Sequence, residues 1–164
     1  MNITLIGMPG AGKSTVGVIL SKIMNLNFTD TDILIQQAFG KKLSEMIAQD
    51  GVDAFLDKES KIITDFPFQN TVIATGGSVI YRPETMEYLK SISKVVYINV
   101  SLAEIEKRVK SMAKRGVVSL NAKTIAELYA ERKPLYEKFA DLSVTTDGCT
   151  LEESAAKIAE MFEI

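Results

Sequence analysis

Apolar residues recur along this chain in two patterns, as short continuous runs and as longer stretches at helical spacing. The runs predict buried strands over residues 2–6, 26–29, 72–74, 94–100 and 142–145. The helical spacing predicts helices over 13–24, 33–39, 43–66 with a break near Gly51, 83–89, 102–112, 124–139 with an interruption at Pro134, and 151–162. This alternation is typical of a parallel sheet with helices on both faces. We therefore predict an α/β fold, a three-layer α/β/α sandwich with about five parallel strands.

The first predicted strand runs directly into a glycine-rich segment that begins at Gly7 and ends with Gly12-Lys13-Ser14-Thr15. Its spacing is that of the phosphate-binding loop G-x-x-x-x-G-K-[ST], in which glycines allow main-chain N–H groups to surround phosphates. We expect Lys13 to reach the β- and γ-phosphates of ATP and Ser14 to coordinate Mg²⁺. The alternative is a glycine-rich turn without a ligand. The predicted nucleotide-binding residues of this loop are Gly10, Ala11, Gly12, Lys13, Ser14 and Thr15.

Two carboxylates, Asp30 and Asp32, follow the second predicted strand. In extended geometry, side chains two positions apart face the same side. One carboxylate would hold Mg²⁺, and the other would accept a proton from a substrate hydroxyl that attacks the γ-phosphate. Helix capping is the alternative, since Asp is favoured at helix N-termini. Downstream of a phosphate loop, we favour the chemical role.

Two further features follow later in the chain. Gly76 and Gly77 come after the third predicted strand, where they either permit close approach of a ligand or form a tight turn. Arg132 lies on an apolar helical face, which is a costly position unless an anion meets it. A bound ligand anion and a structural ion pair, for instance with Asp141, explain that arginine equally well.

The segment 113–123 is polar, basic and glycine-containing, which is typical of a mobile loop. We expect a lid over about 111–123 that closes over the phosphates and supplies a cation from Arg115. A solvated run of charges is the alternative.

Composition limits the classes of function. The chain has 164 residues, 46% of them hydrophobic, which suits one globular domain over 1–164. A net charge of −2 argues against a nucleic-acid partner, and no apolar run approaches the length of a membrane span. Cys149 is the only cysteine, which suits a reducing cytoplasm, and the absence of histidine excludes a histidine general base. We expect a cytoplasmic monomer that acts on a small hydroxylated molecule.

Together, these motifs resemble those of the shikimate kinase family over nearly the whole chain. The family's G-x-x-G-x-G-K-S-T loop, its D-x-D pair and its R-x-P-L-Y-x-x-x-A-D segment are matched by 7–15, by Asp30 and Asp32, and by 132–141. The resemblance implies an ATP- and Mg²⁺-dependent kinase that phosphorylates a hydroxyl of shikimate.

The resemblance also implies roles for individual residues. Ser14 and Asp30 would serve Mg²⁺, and Asp32 would contact the acceptor hydroxyls as the base. Arg132 would bind the shikimate carboxylate, with Gly76 and Gly77 beside the acceptor. At the nucleotide, Arg115 would contact the transferred phosphate and Arg108 would lie near the adenine.

The sequence departs from the family pattern at the acceptor. The family's F-R-x-x-E reads Phe55-Leu56-Asp57-Lys58-Glu59, so that Leu56 stands in place of an arginine that binds the substrate carboxylate. The G-G-G turn is shortened to Gly76-Gly77 between Thr75 and Ser78, and the lid's R-P-L-L keeps only Arg115. Either another cation such as Lys58 compensates, or the acceptor is a different polyol or sugar acid. A non-catalytic nucleotide-binding protein is the third possibility.

Overall fold

The computed structural model of this chain describes residues 1–109 and 124–163. In that part of the chain, five strands form one sheet in the order β2-β3-β1-β4-β5, and every neighbouring pair is parallel. The strands are β1 (Ile3–Ile6), β2 (Asn27–Asp30), β3 (Thr71–Ala74), β4 (Lys94–Asn99) and β5 (Leu142–Thr145). The predicted α/β sandwich with a parallel sheet of five strands is confirmed, whereas the predicted lid lies outside the described residues.

Helices connect the strands near the predicted bounds, and positions 110–112 of the predicted helix over 102–112 lie outside the described residues. They are α1 (Lys13–Met24), α2 (Thr31–Phe39), α3 (Leu43–Asp50), α4 (Val52–Asp65), α5 (Pro83–Ile92), α6 (Leu102–Val109), α7 (Ile125–Phe139) and α8 (Leu151–Glu160). A short 3₁₀ turn, Val79–Tyr81, precedes α5. Among the described residues, no helix is long and apolar enough to cross a membrane.

The predicted interruption at Pro134 is wrong, because α7 continues through this residue. A proline inside a helix removes one main-chain hydrogen bond and costs about 3 kcal/mol when nothing compensates. Here Arg132 and Tyr136, on either side of the proline, are both buried. Their burial stabilises the helix on both sides of the proline.

Strand register brings three loops to the same edge of the sheet. Leu5 of β1 pairs with Ala74 of β3, and Ala74 pairs in turn with Asp30 of β2. The phosphate loop after β1, the start of α2 and the turn after β3 therefore lie side by side. In open α/β sheets, ligands bind outside this carboxyl edge of the strands.

The core is divided into two clusters. The larger one surrounds the sheet, whereas the smaller one consists of Ile35, Met46, Phe55 and Leu56 from α2, α3 and α4. Leu56 is 0% exposed and lies inside this small cluster. The residue that replaces the family's arginine therefore stabilises the packing of α2–α4.

We expect Leu56→Ala to lower the free energy of unfolding by about 2–5 kcal/mol, because it leaves a cavity in a small core. Urea denaturation followed by circular dichroism measures this difference. Ile23→Ala on α1, where the side chain is 52% exposed, is the control and should change stability by no more than about 0.5 kcal/mol. Equal stability of the two variants would contradict the burial of Leu56.

Candidate active site

A cavity of about 630 Å³ opens at the carboxyl edge of β1, β2 and β3. The phosphate loop lines one end, residues of α2 and the beginning of α3 line the other, and the turn after β3 lies between them. Of the predicted site residues, those that line it are Gly10, Gly12, Lys13, Ser14, Thr15, Asp30, Asp32, Gly76 and Gly77.

The phosphate loop has the backbone shape that its glycines predict. Gly12, the residue before α1, has φ 92°, which an L side chain rarely adopts. Lys13 is only 8% exposed, and its Nζ donates to the main-chain oxygens of Gly7 (2.6 Å) and Met8 (2.8 Å). Ala11 is buried beneath the loop, where its N–H donates to Met8. The loop thus places a lysine ammonium and a helix N-terminus at one end of the cavity, which suits phosphates.

Asp30 performs the capping role that was weighed against a metal-binding one, and it also contacts the phosphate loop. Its Oδ1 accepts hydrogen bonds from the N–H groups of Asp32 (2.9 Å) and Ile33 (3.3 Å), at the beginning of α2. Its Oδ2 accepts a hydrogen bond from the Ser14 hydroxyl at 2.6 Å. One carboxylate therefore joins the end of β2 to the first turn of α1.

Ser14 and Asp30 together fit a magnesium ion. Both present oxygen atoms, the ligands that Mg²⁺ prefers, and the two side chains already lie in contact at the cavity wall. Residues 1–109 and 124–163 contain no group of three or more His, Cys, Asp and Glu side chains that could hold a metal. Two protein ligands suit Mg²⁺ beside a nucleotide, because this ion keeps several waters and takes phosphate oxygens.

Asp32 reaches the cavity by a different geometry from the one predicted. It lies in the first turn of α2, so the extended-strand argument for Asp30 and Asp32 is wrong. Its Oδ1 lies 2.6 Å from the position that a Cβ on Gly76 would occupy. Gly76 has no positive φ, and its function here is to leave space for this carboxylate.

Arg132 lies directly behind the next glycine and does not line the cavity. It is 1% exposed, and its Nη1 lies 2.5 Å from the position of a Cβ on Gly77. The Tyr136 hydroxyl donates to the main-chain oxygen of Gly77 at 2.7 Å, which fixes the turn against α7. The alternative ion pair with Asp141 is wrong, because Asp141 binds Lys90 at 2.9 Å.

The contacts of Arg132 leave part of its guanidinium without a partner. Its Nε donates to the Tyr81 hydroxyl at 3.0 Å, and its guanidinium carbon lies 5.1 Å from the centre of the Tyr81 ring. The Tyr81 hydroxyl donates in turn to Glu131. The Nη2 of Arg132 is buried and has no hydrogen-bond partner among the described residues. A buried cation in these surroundings favours an anion nearby.

Glu59 is a second buried titratable side chain that the sequence reasoning missed. It is 2% exposed, and both of its carboxyl oxygens lie within 3.3 Å of the Ser78 hydroxyl, which donates to them. Burial, together with the charge of Asp32, raises the pKa of Glu59 to about 8, against the opposing effects of Ser78 and Arg132. The sequence could have indicated Glu59, because it is a charged residue on the apolar face of a helix, α4. The same pattern indicated Arg132.

The other predicted cations lie elsewhere. Lys58 donates to Asp50 at 2.6 Å and lies over the Phe39 ring, so the alternative that it compensates for Leu56 is not supported. Arg108 donates to the main-chain oxygen of Gly10 at 3.1 Å and so contacts the phosphate loop, and its position near an adenine stays a prediction. Arg115 lies outside the described residues.

We expect Gly77→Ala to lower stability by about 1–3 kcal/mol, because the new methyl group would overlap the Arg132 guanidinium. Thermal denaturation of four proteins measures this: the starting protein, Gly77→Ala, Arg132→Ala and the double variant. Removing the arginine should relieve the overlap, so that Gly77→Ala costs less in the Arg132→Ala background. Additive effects would contradict the contact.

We expect the free energy of unfolding to fall as pH rises from about 4.5 to about 8 because of Glu59. The folded state holds the proton more tightly than the unfolded chain does, so each pH unit in this window removes up to about 1.4 kcal/mol. Urea denaturation across the window measures the slope. In Glu59→Gln, which cannot ionise, this part of the slope should vanish, and an unchanged slope would contradict the raised pKa.

Proteins similar to this chain cover nearly its full length. The sequence model of the family described as shikimate kinase matches residues 9–163. A shikimate kinase from Francisella tularensis subsp. holarctica is 37% identical over 162 residues, which cover 96% of this chain and 92% of that protein. One from Thermodesulfovibrio yellowstonii is 38% identical over 167 aligned positions, with 99% and 95% covered.

Solved structures give the same result. The shikimate kinase from Acinetobacter baumannii in complex with shikimate superimposes with a TM-score of 0.88 at 28% identity, covering 98% of this chain and 91% of that one. The shikimate kinase from Aquifex aeolicus has a TM-score of 0.83 at 31% identity, with 96% and 94% covered. On this agreement of sequence and fold, the chain belongs to the shikimate kinase family.

Proposed function

We propose that this protein transfers the γ-phosphate of ATP to a hydroxyl group of shikimate in a Mg²⁺-dependent reaction. The observation that carries the proposal is one cavity in which the Asp32 carboxylate faces the same space as the phosphate loop. Shikimate as the acceptor is supported by the A. baumannii relative, whose structure contains this molecule.

The phosphate loop and its neighbours would bind the donor. The loop N–H groups and Lys13 would surround the ATP phosphates at the N-terminus of α1. Ser14 and Asp30 would hold Mg²⁺, which when bound neutralises charge on the phosphate oxygens. Asp30 also caps α2, so one side chain contacts both the donor site and the helix that carries Asp32.

Asp32 is the proposed base. As the acceptor oxygen forms its bond to the γ-phosphorus, the bond between that phosphorus and the oxygen of ADP breaks, and the hydroxyl proton passes to the Asp32 carboxylate. Gly76 leaves the space in which this carboxylate lies. Arg132 is proposed to attract the acceptor carboxylate from behind Gly77, which is supported by its buried and unpartnered Nη2.

Five expectations remain proposals of the same kind. Arg115 would supply a cation from the lid at 111–123, and Arg108 would lie near the adenine. The kinase would consist of one domain over 1–164. We further propose a cytoplasmic enzyme, supported by its single cysteine, and a monomer, supported by a described cavity that one chain forms by itself.

We expect ADP release from MgATP with shikimate, and a loss of about 10²-fold or more in kcat for Asp32→Asn, because this variant lacks the base. A coupled ADP-release assay measures turnover, and fluorescence of a bound nucleotide analogue checks that ATP binding is retained. Asp65→Asn is the control, since the partner of this exposed carboxylate among the described residues is Lys61, and Asp65 does not line the cavity.

The same assay includes a panel of polyols and sugar acids. Turnover of one of these without turnover of shikimate would overturn the proposed acceptor and keep the kinase chemistry. Nucleotide binding without turnover of any acceptor would overturn both.

A further inference from the structure

We infer that Lys42 supplies a positive charge that binds the acceptor's carboxylate in this chain. The inference rests on the proposed function and assigns a residue to a task for which the family pattern uses an arginine at the position of Leu56. It concerns the end of the cavity away from the phosphate loop.

Lys42 lines the cavity beside Gln36, Leu43 and Ser44. Its side chain is exposed, and among the described residues it makes no ion pair or side-chain hydrogen bond. Its main-chain oxygen accepts the hydrogen bond from Met46 N–H at 3.1 Å, which begins α3. The backbone at Lys42 is therefore fixed, while its ammonium group is available to a ligand.

The other described cations of this region are held in ion pairs or do not line the cavity. Lys58 is paired with Asp50, and Arg82 is paired with Asp53 and Asp57. Arg132 is buried behind Gly77 and does not line the cavity. Lys13 lies at the phosphate end, where its Nζ contacts the loop. The cations that line the described cavity are Lys13 in the phosphate loop and Lys42 at the start of α3, which leaves Lys42 as the candidate for the acceptor.

The charge of the cavity favours a cation in addition to Arg132 for an anionic acceptor. Asp30 and Asp32 both line it, so an anionic acceptor approaches two negative charges. Leu56 contributes no compensating charge, because it lies in the apolar cluster with Ile35 and Phe55.

The test compares Lys42→Gln with Lys41→Gln. Lys41 is the neighbouring exposed lysine; its Nζ donates to Gln49, and it does not line the cavity. Lys41→Gln therefore removes the same charge from a residue without the proposed role. Steady-state assays measure kcat and both KM values with shikimate and with shikimate methyl ester, which carries no charge. Lys42→Arg tests whether another cation restores binding.

We expect Lys42→Gln to raise the KM for shikimate about tenfold, as for the loss of one hydrogen bond to a charged group. The KM for ATP, the kcat and the KM for the ester should change less than about twofold, within the variation of a surface substitution. Lys41→Gln should behave like the starting protein, and Lys42→Arg should retain most of the affinity for shikimate.

An unchanged KM for shikimate in Lys42→Gln would overturn the inference while the proposed function stands. An equal rise in KM for the ester would overturn it as well, because the effect would then be independent of the carboxylate. If the starting protein neither binds nor phosphorylates shikimate, the proposed function fails, and the inference fails with it.

Discussion

The Asp30 carboxylate is the contact on which the site depends. One of its oxygens caps α2, and the other accepts the hydrogen bond of Ser14 at the start of α1. Since Asp32 lies in the helix that Asp30 caps, the position of the proposed base is linked to the phosphate loop through a single side chain. Loss of an N-cap costs about 1 kcal/mol, so this contact also stabilises the fold.

Buried titratable side chains lie behind the turn after β3. Gly76 leaves space for the Asp32 carboxylate, and Gly77 leaves space for the Arg132 guanidinium. Both groups lie against the turn after β3. The family departures at positions 56 and 78 both bear on this region. Leu56 and Glu59 lie on the buried face of α4, and the Ser78 hydroxyl donates to Glu59. Ser78 is therefore a hydrogen-bond partner of the buried Glu59 in a chain that has leucine at position 56, where the family has arginine.

The fold and the donor end of the site follow from local sequence, whereas the acceptor end does not. Strand runs, glycine spacing and the D-x-D pair are short-range signals, and they located all five strands and the phosphate loop. The partners of Arg132 were not predictable, because Tyr81 is 51 residues away and lies in a 3₁₀ turn without a periodic pattern. Asp32 was predicted as a site residue from an extended backbone. It lies instead in the first turn of α2, which Asp30 caps.

The division of the core has a consequence for motion. Only four buried side chains form the cluster that holds α2, α3 and α4 together, whereas the sheet is surrounded by a much larger one. Segments with few buried apolar contacts open locally at lower free energy than the rest of a protein. Amide hydrogens of α3 and α4 will therefore exchange with solvent faster than those of β1 and β3. The acceptor end of the cavity can thus rearrange around its substrate while the phosphate end stays folded.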